Sequence, residues 1–411
     1  MRSMNVLNSD TFCAYSWFGV RNENHGEYRL CCSINPRISE YTGNIAEQST
    51  GSMDDFLNSE YTQYVRKSLN DGVKLKECSR CWHEEAHKQQ SYRQIGNQTI
   101  CDNNSDINKT WVPMFFKNKK DYKSDLLLIA DVKINNICNF ECIMCNAKDS
   151  SLIFNNWTKN IDNEFVQDYL KKDPLYFKRI QTAKKENFNE TTLERALTSK
   201  TLKELKIIGG EPLVSPKVLS LLINLDEDQK QKLSLVIITN GSVDLIDVTN
   251  KLGNYKHIHY VVSIDSISDL QEYVRRNSDW NQISNNILNF QKLLSNKISI
   301  SCELTPSAAS ITGLPDLIHW LSKNNVTFSV GNLIDPDYLS LNAVPDNLKQ
   351  LIIDKLTTVD SVNAKIMKSK ISESEYSIEL FERFKQYIKW QNTYSNKDFL
   401  SIAAEWTPYF E

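Results

Sequence analysis

The stretch LLLIADVKINNICNFECIMC, residues 126–145, joins an apolar run to three closely spaced cysteines. The apolar part, 126–134, is typical of a buried β-strand. Cys138, Cys142 and Cys145 follow it with the spacing C-x3-C-x2-C. Three thiolates on one loop can bind three irons of a cubane iron–sulfur cluster and leave the fourth iron open to a small ligand. The stretch therefore predicts a strand followed by a metal-binding loop.

Two plainer interpretations of this loop stay open. A closed structural zinc site would need a fourth protein ligand, and the nearest histidines, His83, His87 and His257, are remote in sequence. The three cysteines could also be buried structural residues, because free cysteine is often buried. Of the three interpretations, the iron–sulfur loop fits the spacing best.

Beyond this first strand, short apolar runs alternate with longer polar stretches that are typical of helices. The six runs are 126–134, 202–209, 233–239, 258–265, 298–304 and 326–334. Connections of this length suit crossover helices between parallel strands, so the sequence predicts an α/β fold. Periodicity does not choose between a doubly wound sheet and an incomplete barrel. The interval 146–201 should hold two or more helices.

The composition narrows the class of protein. With 48 Lys and Arg against 51 Asp and Glu, the net charge of −3 excludes a nucleic-acid binder that works through bulk basic charge. The N-terminus shows no signal-peptide pattern, and no run of about 18 apolar residues occurs. We therefore expect a cytoplasmic protein without a membrane span. In a reducing compartment, its ten cysteines would serve metal binding or catalysis rather than disulfides.

The octet CNFECIMC, residues 138–145, resembles the cluster-binding loop of the radical SAM superfamily, C-x3-C-x-aromatic-C. Met144 departs from that pattern, since it stands where the family has an aromatic side chain near the adenine. A thioether can also pack on a ring face, so we expect binding to be retained. The resemblance implies a partial, TIM-like (β/α)6 barrel with S-adenosylmethionine (SAM) as cofactor. It also implies a [4Fe–4S] cluster on Cys138, Cys142 and Cys145, which would be the catalytic centre.

Further matches to that family fall at the ends of successive predicted strands, where the site of such a barrel forms. The sequence GGEP at 209–212 is similar to the family's GGE(P) motif, TNG at 239–241 to its TNG stretch, and SID at 263–265 to its S-x-D stretch. Two arginines follow in YVRR. The cofactor-binding residues implied by the resemblance are Met144, Gly209, Gly210, Glu211, Asn240, Ser263, Asp265, Arg275 and Arg276.

The implied side chains suit the parts of SAM. Glu211 can accept from the ammonium group, and Ser263 and Asp265 would hold the carboxylate or the ribose. Arg275 or Arg276 could bind the carboxylate through two hydrogen bonds. A structural interpretation stays open for each motif, as a strand-to-helix turn, a cap or a solvated helix face.

A second group of cysteines precedes the predicted strands. Cys13 and Cys31 enclose a hairpin-like stretch, with Gly26 five residues before Cys31, and Cys78 and Cys81 form a C-x2-C pair. Four thiolates suit either a closed zinc site or a fully ligated iron–sulfur cluster. Residue chemistry alone leaves both open.

The pattern C-x12-G-x4-C is similar to the opening of twitch and SPASM auxiliary-cluster domains, which usually follow a radical SAM barrel rather than precede it. This resemblance implies one auxiliary [4Fe–4S] cluster for electron transfer in an N-terminal twitch-type domain. Its implied ligands are Cys13, Cys31, Cys78 and Cys81. Cys32 is the alternative to Cys31, whereas Cys101 and Cys302 are expected to be ordinary residues.

Together the resemblances predict an auxiliary domain at 1–100, a linker at 101–124, the barrel at 125–338 and a helical C-terminal extension at 339–411. They imply a radical SAM oxidoreductase that cleaves SAM reductively to a 5′-deoxyadenosyl radical. The radical would abstract hydrogen from a peptide, a protein or a small molecule. A flavodoxin or ferredoxin would supply the electron, in a bacterial or phage-infected cell. A zinc-stabilised binding protein on a degenerate barrel is the alternative function.

Overall fold

A computed structural model describes residues 10–88, 90–101, 122–124, 126–333, 335–357, 359 and 362–410 of the chain. The chain divides into two compact units. The first unit comprises Met1–Asn135 and Lys178–Ile207, and the second comprises Asn136–Phe177 and Ile208–Glu411. Most of the predicted linker, 102–121, lies outside the described residues. The four-part division of the chain stays a prediction.

The strands confirm the predicted α/β class. They are β1 Gly19–Glu23, β2 Glu27–Arg29, β3 Ile129–Lys133, β4 Glu141–Cys142, β5 Glu204–Ile208, β6 Ser234–Thr239, β7 His257–Ser263, β8 Arg275–Arg276, β9 Ile298–Leu304 and β10 Phe328–Val330. Each of the six predicted apolar runs contains one strand. The mostly parallel sheet has eight strands rather than six, because β1 and β2 also belong to it.

Helices connect these strands. In the first unit they are Ala14–Phe18, Ile45–Gln48, Met53–Leu57, Glu60–Asn70, Ser79–Ala86, Tyr92–Cys101 and Phe188–Leu197. In the second unit they are Ser151–Lys159, Glu164–Lys172, Pro216–Ile223, Glu227–Lys230, Leu245–Leu252, Ser268–Val274, Trp280–Phe290, Leu314–Lys323, Asp346–Thr357, Val362–Ser372, Ile378–Asn392, Phe399–Ile402 and Thr407–Phe410. Tyr176–Lys185 begins in the second unit and ends in the first. None of the helices described combines the length and the apolar character needed to cross a membrane.

The first unit contains a hairpin with a charged face. β1 pairs antiparallel with β2, and it also pairs parallel with β3, where Arg21 lies opposite Asp131. Arg21 binds Asp131 at 2.6 Å and Glu23 at 3.0 Å, and Lys133 binds Glu23 at 2.8 Å. All four side chains are buried. The hairpin expected between Cys13 and Cys31 is therefore present, and buried ion pairs occupy one of its faces.

The second unit contains a parallel four-stranded part of the sheet, in the order β10-β9-β7-β6. Alternate residues of β6 and β7 are buried, and Tyr260 of β7 packs edge-on against Phe290 of the helix Trp280–Phe290. Thr239 lies beside Val262, and Ser263 beside Glu303. The carboxyl ends of these strands therefore meet at one edge, which is where ligand sites of parallel sheets form.

Candidate active site

The loop with Cys138, Cys142 and Cys145 follows β3 in sequence and lies in the second unit. All three cysteines are half-buried. The loop turns back on itself, because the N–H of Cys145 donates to the carbonyl of Cys142 at 3.0 Å. The N–H of Phe140 donates to the sulfur of Cys138 at 3.4 Å. These contacts make the predicted cysteine spacing a compact, ordered turn.

The electrostatics of the loop disfavour three bare thiolates. Burial raises the pKa of Cys138 to about 12 and also raises the pKa values of Cys142 and Cys145. Binding a metal cluster offsets this cost, because metal ligation deprotonates a thiol outright. Three sulfurs on one turn fit a [4Fe–4S] cluster with one open iron. Among the described residues, no group of three or more His, Cys, Asp or Glu is arranged to enclose a single metal ion.

A two-stranded ribbon holds the middle of the loop. β4 pairs antiparallel with β8, so that Glu141 lies opposite Arg276 and Cys142 opposite Arg275. The N–H of Ile143 extends the pairing to the carbonyl of Val274 at 2.9 Å. The sequence predicted that one of the two arginines contacts SAM. The structure shows that the backbone of both also pairs with the cysteine loop.

Arg275 forms a buried ion pair with Asp265. Its Nε and Nη2 lie 2.8 and 2.7 Å from Oδ2 of Asp265, whose side chain is fully buried. The other oxygen, Oδ1, accepts from the N–H of Thr305 at 2.7 Å. Nη1 of Arg275 lies 4.0 Å from the sulfur of Cys142. Asp265 therefore orients a guanidinium so that its positive charge faces the cysteine loop.

Arg276 points to a different set of partners. Its Nε donates to the carbonyl of Glu141 at 3.3 Å, and its guanidinium lies 5.6 Å from the centre of the Tyr394 ring. The two adjacent arginines thus have different neighbours: Arg275 lies beside Cys142, and Arg276 lies over the Tyr394 ring. Of the two predicted candidates for SAM binding, Arg275 is the one beside a cysteine of the loop.

Glu211 is buried at the end of β5 and bonded on both oxygens. Oε1 accepts from the hydroxyl of Thr239 at 2.8 Å and from the N–H of Leu213 at 3.1 Å, and Oε2 accepts from the N–H of Asn240 at 2.6 Å. Burial raises the pKa of Glu211 to about 7, although these three hydrogen bonds oppose the rise. A carboxylate has about four acceptor positions, so one remains for a ligand.

Gly210 lets the GGEP motif approach the cysteine loop. A Cβ at this position would lie 2.1 Å from the carbonyl oxygen of Ile137, the residue before Cys138. That same oxygen accepts from the N–H of Glu211 at 2.7 Å. The resemblance implied that Gly210 helps to bind the cofactor. At Gly210 the structure shows close approach of the protein's own loop.

Asn240 connects the end of β6 to the same loop. Its Nδ2 donates to Oδ1 of Asn139 at 2.8 Å, and Nδ2 of Asn139 donates to the hydroxyl of Ser242 at 3.0 Å. Gly241 takes a φ of +76°, a conformation that favours glycine. Asn240 therefore positions the residue that follows Cys138.

The remaining predicted residues occupy the same unit. Ser263 is half-buried at the end of β7, Met144 is half-buried between Ile143 and Cys145, and Gly209 follows β5. Their assignment to SAM stays a prediction, as does that of the other cofactor-binding residues.

One contact to the loop escaped the sequence interpretation. The hydroxyl of Tyr387 donates to the carbonyl oxygen of Ile143 at 2.6 Å. Tyr387 is buried in the helix Ile378–Asn392, which the sequence assigned to a C-terminal extension. Amphipathic periodicity indicates that such a tyrosine faces inward, but it does not say what the tyrosine touches.

The N-terminal cysteines come together in the first unit. Cys13, Cys31, Cys78 and Cys81 line one cavity of about 20 Å³, whereas Cys32 does not line it. Apolar side chains complete its wall, among them Ile34, Leu69 and Trp82, and Arg93 is the charged member. Burial raises the pKa of all four lining thiols. Four sulfurs that line one cavity are the donor set of either a fully ligated cluster or a closed zinc site.

Cys101 and Cys302 were expected to be ordinary residues. Cys302 is buried on β9. Cys101 ends the helix Tyr92–Cys101, and its side chain lies outside the described residues.

Residues 132–303 match the family model described as the radical SAM superfamily. The matched segment includes the three-cysteine loop and every residue predicted to bind SAM. Among curated proteins, no relative matched the chain.

Two solved proteins, SuiB and anSMEcpe, are among the structures to which the chain is similar. SuiB of Streptococcus suis bound to S-adenosylmethionine is 19% identical, with 56% of this chain and 45% of SuiB covered and a TM-score of 0.34. In its complex with the precursor peptide SuiA, the identity is 15%, the coverage 66% and 61%, and the TM-score 0.34. Native anSMEcpe with bound AdoMet is 15% identical, with 64% and 66% covered and a TM-score of 0.39. The chain thus spans about half the length of the first of these structures.

Proposed function

We propose that this protein is a radical SAM enzyme whose catalytic cluster is bound by Cys138, Cys142 and Cys145. The observation that carries the proposal is the three-cysteine turn, which lies inside the radical SAM match and is bonded to the motifs after β5 and β6. Cys138, Cys142 and Cys145 would hold the cluster, which together with SAM would supply the radical chemistry for taking hydrogen from a substrate. The enzyme's own residues bind and orient the cofactor and exclude water.

The residues around the loop receive distinct roles in this proposal. Glu211 offers its remaining acceptor position to the ammonium group of SAM, and its raised pKa falls when that cation arrives. Arg275, aimed by Asp265, stabilises negative charge at Cys142. Met144 packs against the adenine, and Ser263 contacts the ribose or the carboxylate. Gly209, Gly210, Asn240 and Arg276 shape the same site.

The proposal extends to a second, auxiliary cluster on Cys13, Cys31, Cys78 and Cys81. These residues line one cavity, and four thiolates leave no open iron for a substrate. Such a site suits electron transfer. We assign residues 1–100 to a twitch-type domain, 125–338 to a partial (β/α)6 barrel and 339–411 to a helical extension.

The proposed partners follow from that chemistry. A one-electron donor such as a flavodoxin or ferredoxin reduces the catalytic cluster. The substrate is a peptide, a protein or a small molecule.

Anaerobic reconstitution followed by reduction with dithionite tests the proposal. We expect about eight irons per chain for two cubane clusters, and conversion of SAM to 5′-deoxyadenosine and methionine. Changing Cys138, Cys142 and Cys145 together to Ala should abolish cleavage and leave about four irons. Cys302→Ala removes a thiol outside both cysteine groups and is the control. It should keep both the iron content and the cleavage of SAM. Zinc in place of iron, with no SAM cleavage, contradicts the proposal.

A further inference from the structure

Arg93 places a buried positive charge against the cavity of Cys13, Cys31, Cys78 and Cys81. Its residue surface is only 7% exposed. Burying a cation is costly unless other groups compensate its charge. The partners of Arg93 therefore show how its buried charge is compensated and which way it faces.

The guanidinium is held on three sides. Nε and Nη2 donate to the two oxygens of Glu85 at 2.9 and 2.8 Å, and Nη1 donates to the carbonyl of Phe12 at 2.7 Å. Its central carbon lies 5.2 Å from the centre of the Trp82 ring. Glu85 itself is fixed by the hydroxyl of Ser91 at 2.5 Å. Since Arg93 lines the cavity and Glu85 does not, the positive end of this pair faces the sulfurs.

These contacts join the segments that carry the cysteines. Phe12 immediately precedes Cys13, and Glu85 shares the helix Ser79–Ala86 with Cys81. Arg93 and Glu85 therefore join the chain segments of Cys13 and Cys81 at the wall of the cavity.

We propose that Arg93, oriented by Glu85, raises the reduction potential of the cluster bound by Cys13, Cys31, Cys78 and Cys81. This inference rests on the auxiliary cluster of the proposed function. Reduction adds one electron to the site, and a fixed positive charge beside the ligands stabilises the added negative charge. Net charge and hydrogen bonds to the sulfurs are known to set cluster potentials. No bond to Arg93 forms or breaks, so Arg93 is a positioning and tuning residue.

A redox titration measures this effect directly. The parent protein carries Ala at positions 138, 142 and 145, so that its spectroscopic signal comes from the auxiliary cluster. Dithionite supplies the electron anaerobically, and the reduced fraction is followed by electron paramagnetic resonance. Arg93→Gln should lower the potential, and Arg93→Lys should restore part of it. Arg195→Gln is the control, because Arg195 is paired with Asp54 and does not line the cavity, so this variant should match the parent.

Glu85→Gln provides a second, opposite test. It removes the counter-charge but keeps Arg93 positive, so the potential should rise above that of the parent. If Arg93→Gln fails to bind iron, Glu85→Gln decides alone, since a rise supports the inference and no change overturns it. Unchanged potentials in both variants at full iron content also overturn it. A parent protein without iron would instead refute the auxiliary cluster itself, which separates the two failures.

Discussion

The hydroxyl of Tyr387 and the carbonyl oxygen of Ile143 lie 2.6 Å apart, joined by a hydrogen bond. Ile143 stands between Cys142 and Met144, so a helix near the C-terminus holds the cysteine loop directly. Both residues are buried. The cysteine loop is therefore held by the helix Ile378–Asn392 as well as by the strands next to it in sequence.

Tyr387→Phe should destabilise the loop, because it leaves the buried carbonyl of Ile143 without its partner. The expected loss in the free energy of unfolding is about 1–3 kcal/mol, with faster release of iron from the catalytic cluster. Denaturant titration and iron-release kinetics measure both. Tyr376→Phe, at an exposed tyrosine near the same helix, is the control and should change stability by less than about 0.5 kcal/mol. Equal effects of the two variants would refute the role of this bond.

Gly210→Ala should displace the cysteine loop, because the new Cβ would lie 2.1 Å from the backbone oxygen of Ile137. A backbone group cannot move aside as cheaply as a side chain. We expect a loss of about 1–3 kcal/mol or more and loss of SAM cleavage. Gly331→Ala is the matched control, since its nearest neighbour would be at an ordinary 3.5 Å. Full SAM cleavage by Gly210→Ala would contradict the structure.

Arg275→Gln should be costly because it leaves Asp265 charged and buried without its cation. Breaking a buried pair in this way costs about 3–5 kcal/mol. Adding Asp265→Asn should recover part of that loss, so the double variant should lose less than the sum of the single variants. Lys251→Gln breaks an exposed pair with Asp247 and should cost at most about 1 kcal/mol. Strict additivity in the double-mutant cycle would show that Asp265 and Arg275 do not interact.

Glu211 should make stability fall with rising pH. Burial raises its folded-state pKa from 4.5 to about 7. The contribution of Glu211 to the free energy of unfolding is fully present below pH 4.5. It is lost as the pH rises towards and through 7, because in this range Glu211 ionises readily only in the unfolded chain. The loss amounts to about 3 kcal/mol. Glu211→Gln should flatten this slope in denaturant titrations of the metal-free protein between pH 4.5 and 8. An unchanged slope would mean that Glu211 is ionised in the fold throughout.

Cys31→Ala should remove the auxiliary cluster, whereas Cys32→Ala should keep it. Cys31 lines the cavity with the three other cysteines and Cys32 does not. Iron analysis and the visible absorption spectrum of the reconstituted variants report the result. The reverse pattern would transfer the ligand role to Cys32.

The hydrophobic pattern of the sequence predicted the strands whose buried side chains are apolar. All six hydrophobic runs contain strands because alternation or continuous apolarity marks burial. β1 escaped that count because its buried face carries Arg21 and Glu23, whose charges are satisfied by Asp131 and Lys133. A hydrophobic pattern does not detect a buried strand whose charged side chains form ion pairs.

The breaks and contacts of the chain were harder to predict. The amphipathic stretch 52–72 predicts one helix, but the chain forms Met53–Leu57 and Glu60–Asn70, since the Ser59 hydroxyl accepts from the N–H of Thr62 and caps the second helix. The motifs GGEP and TNG lie at the ends of β5 and β6, where Glu211 and Asn240 bond to the cysteine loop and its neighbour. They did not reveal its pairing with Arg275 or its bond to Tyr387, because such long-range contacts leave no local pattern.

The bond between Tyr387 and Ile143 also bears on how the protein is made. The two residues are separated by 244 positions in the chain. A ribosome that adds about 5–20 residues per second needs roughly 12–50 s to pass from one to the other. During that interval the three cysteines have emerged without the helix that secures them. The hydrogen bond from Tyr387 therefore forms only after the helix Ile378–Asn392 has been synthesised.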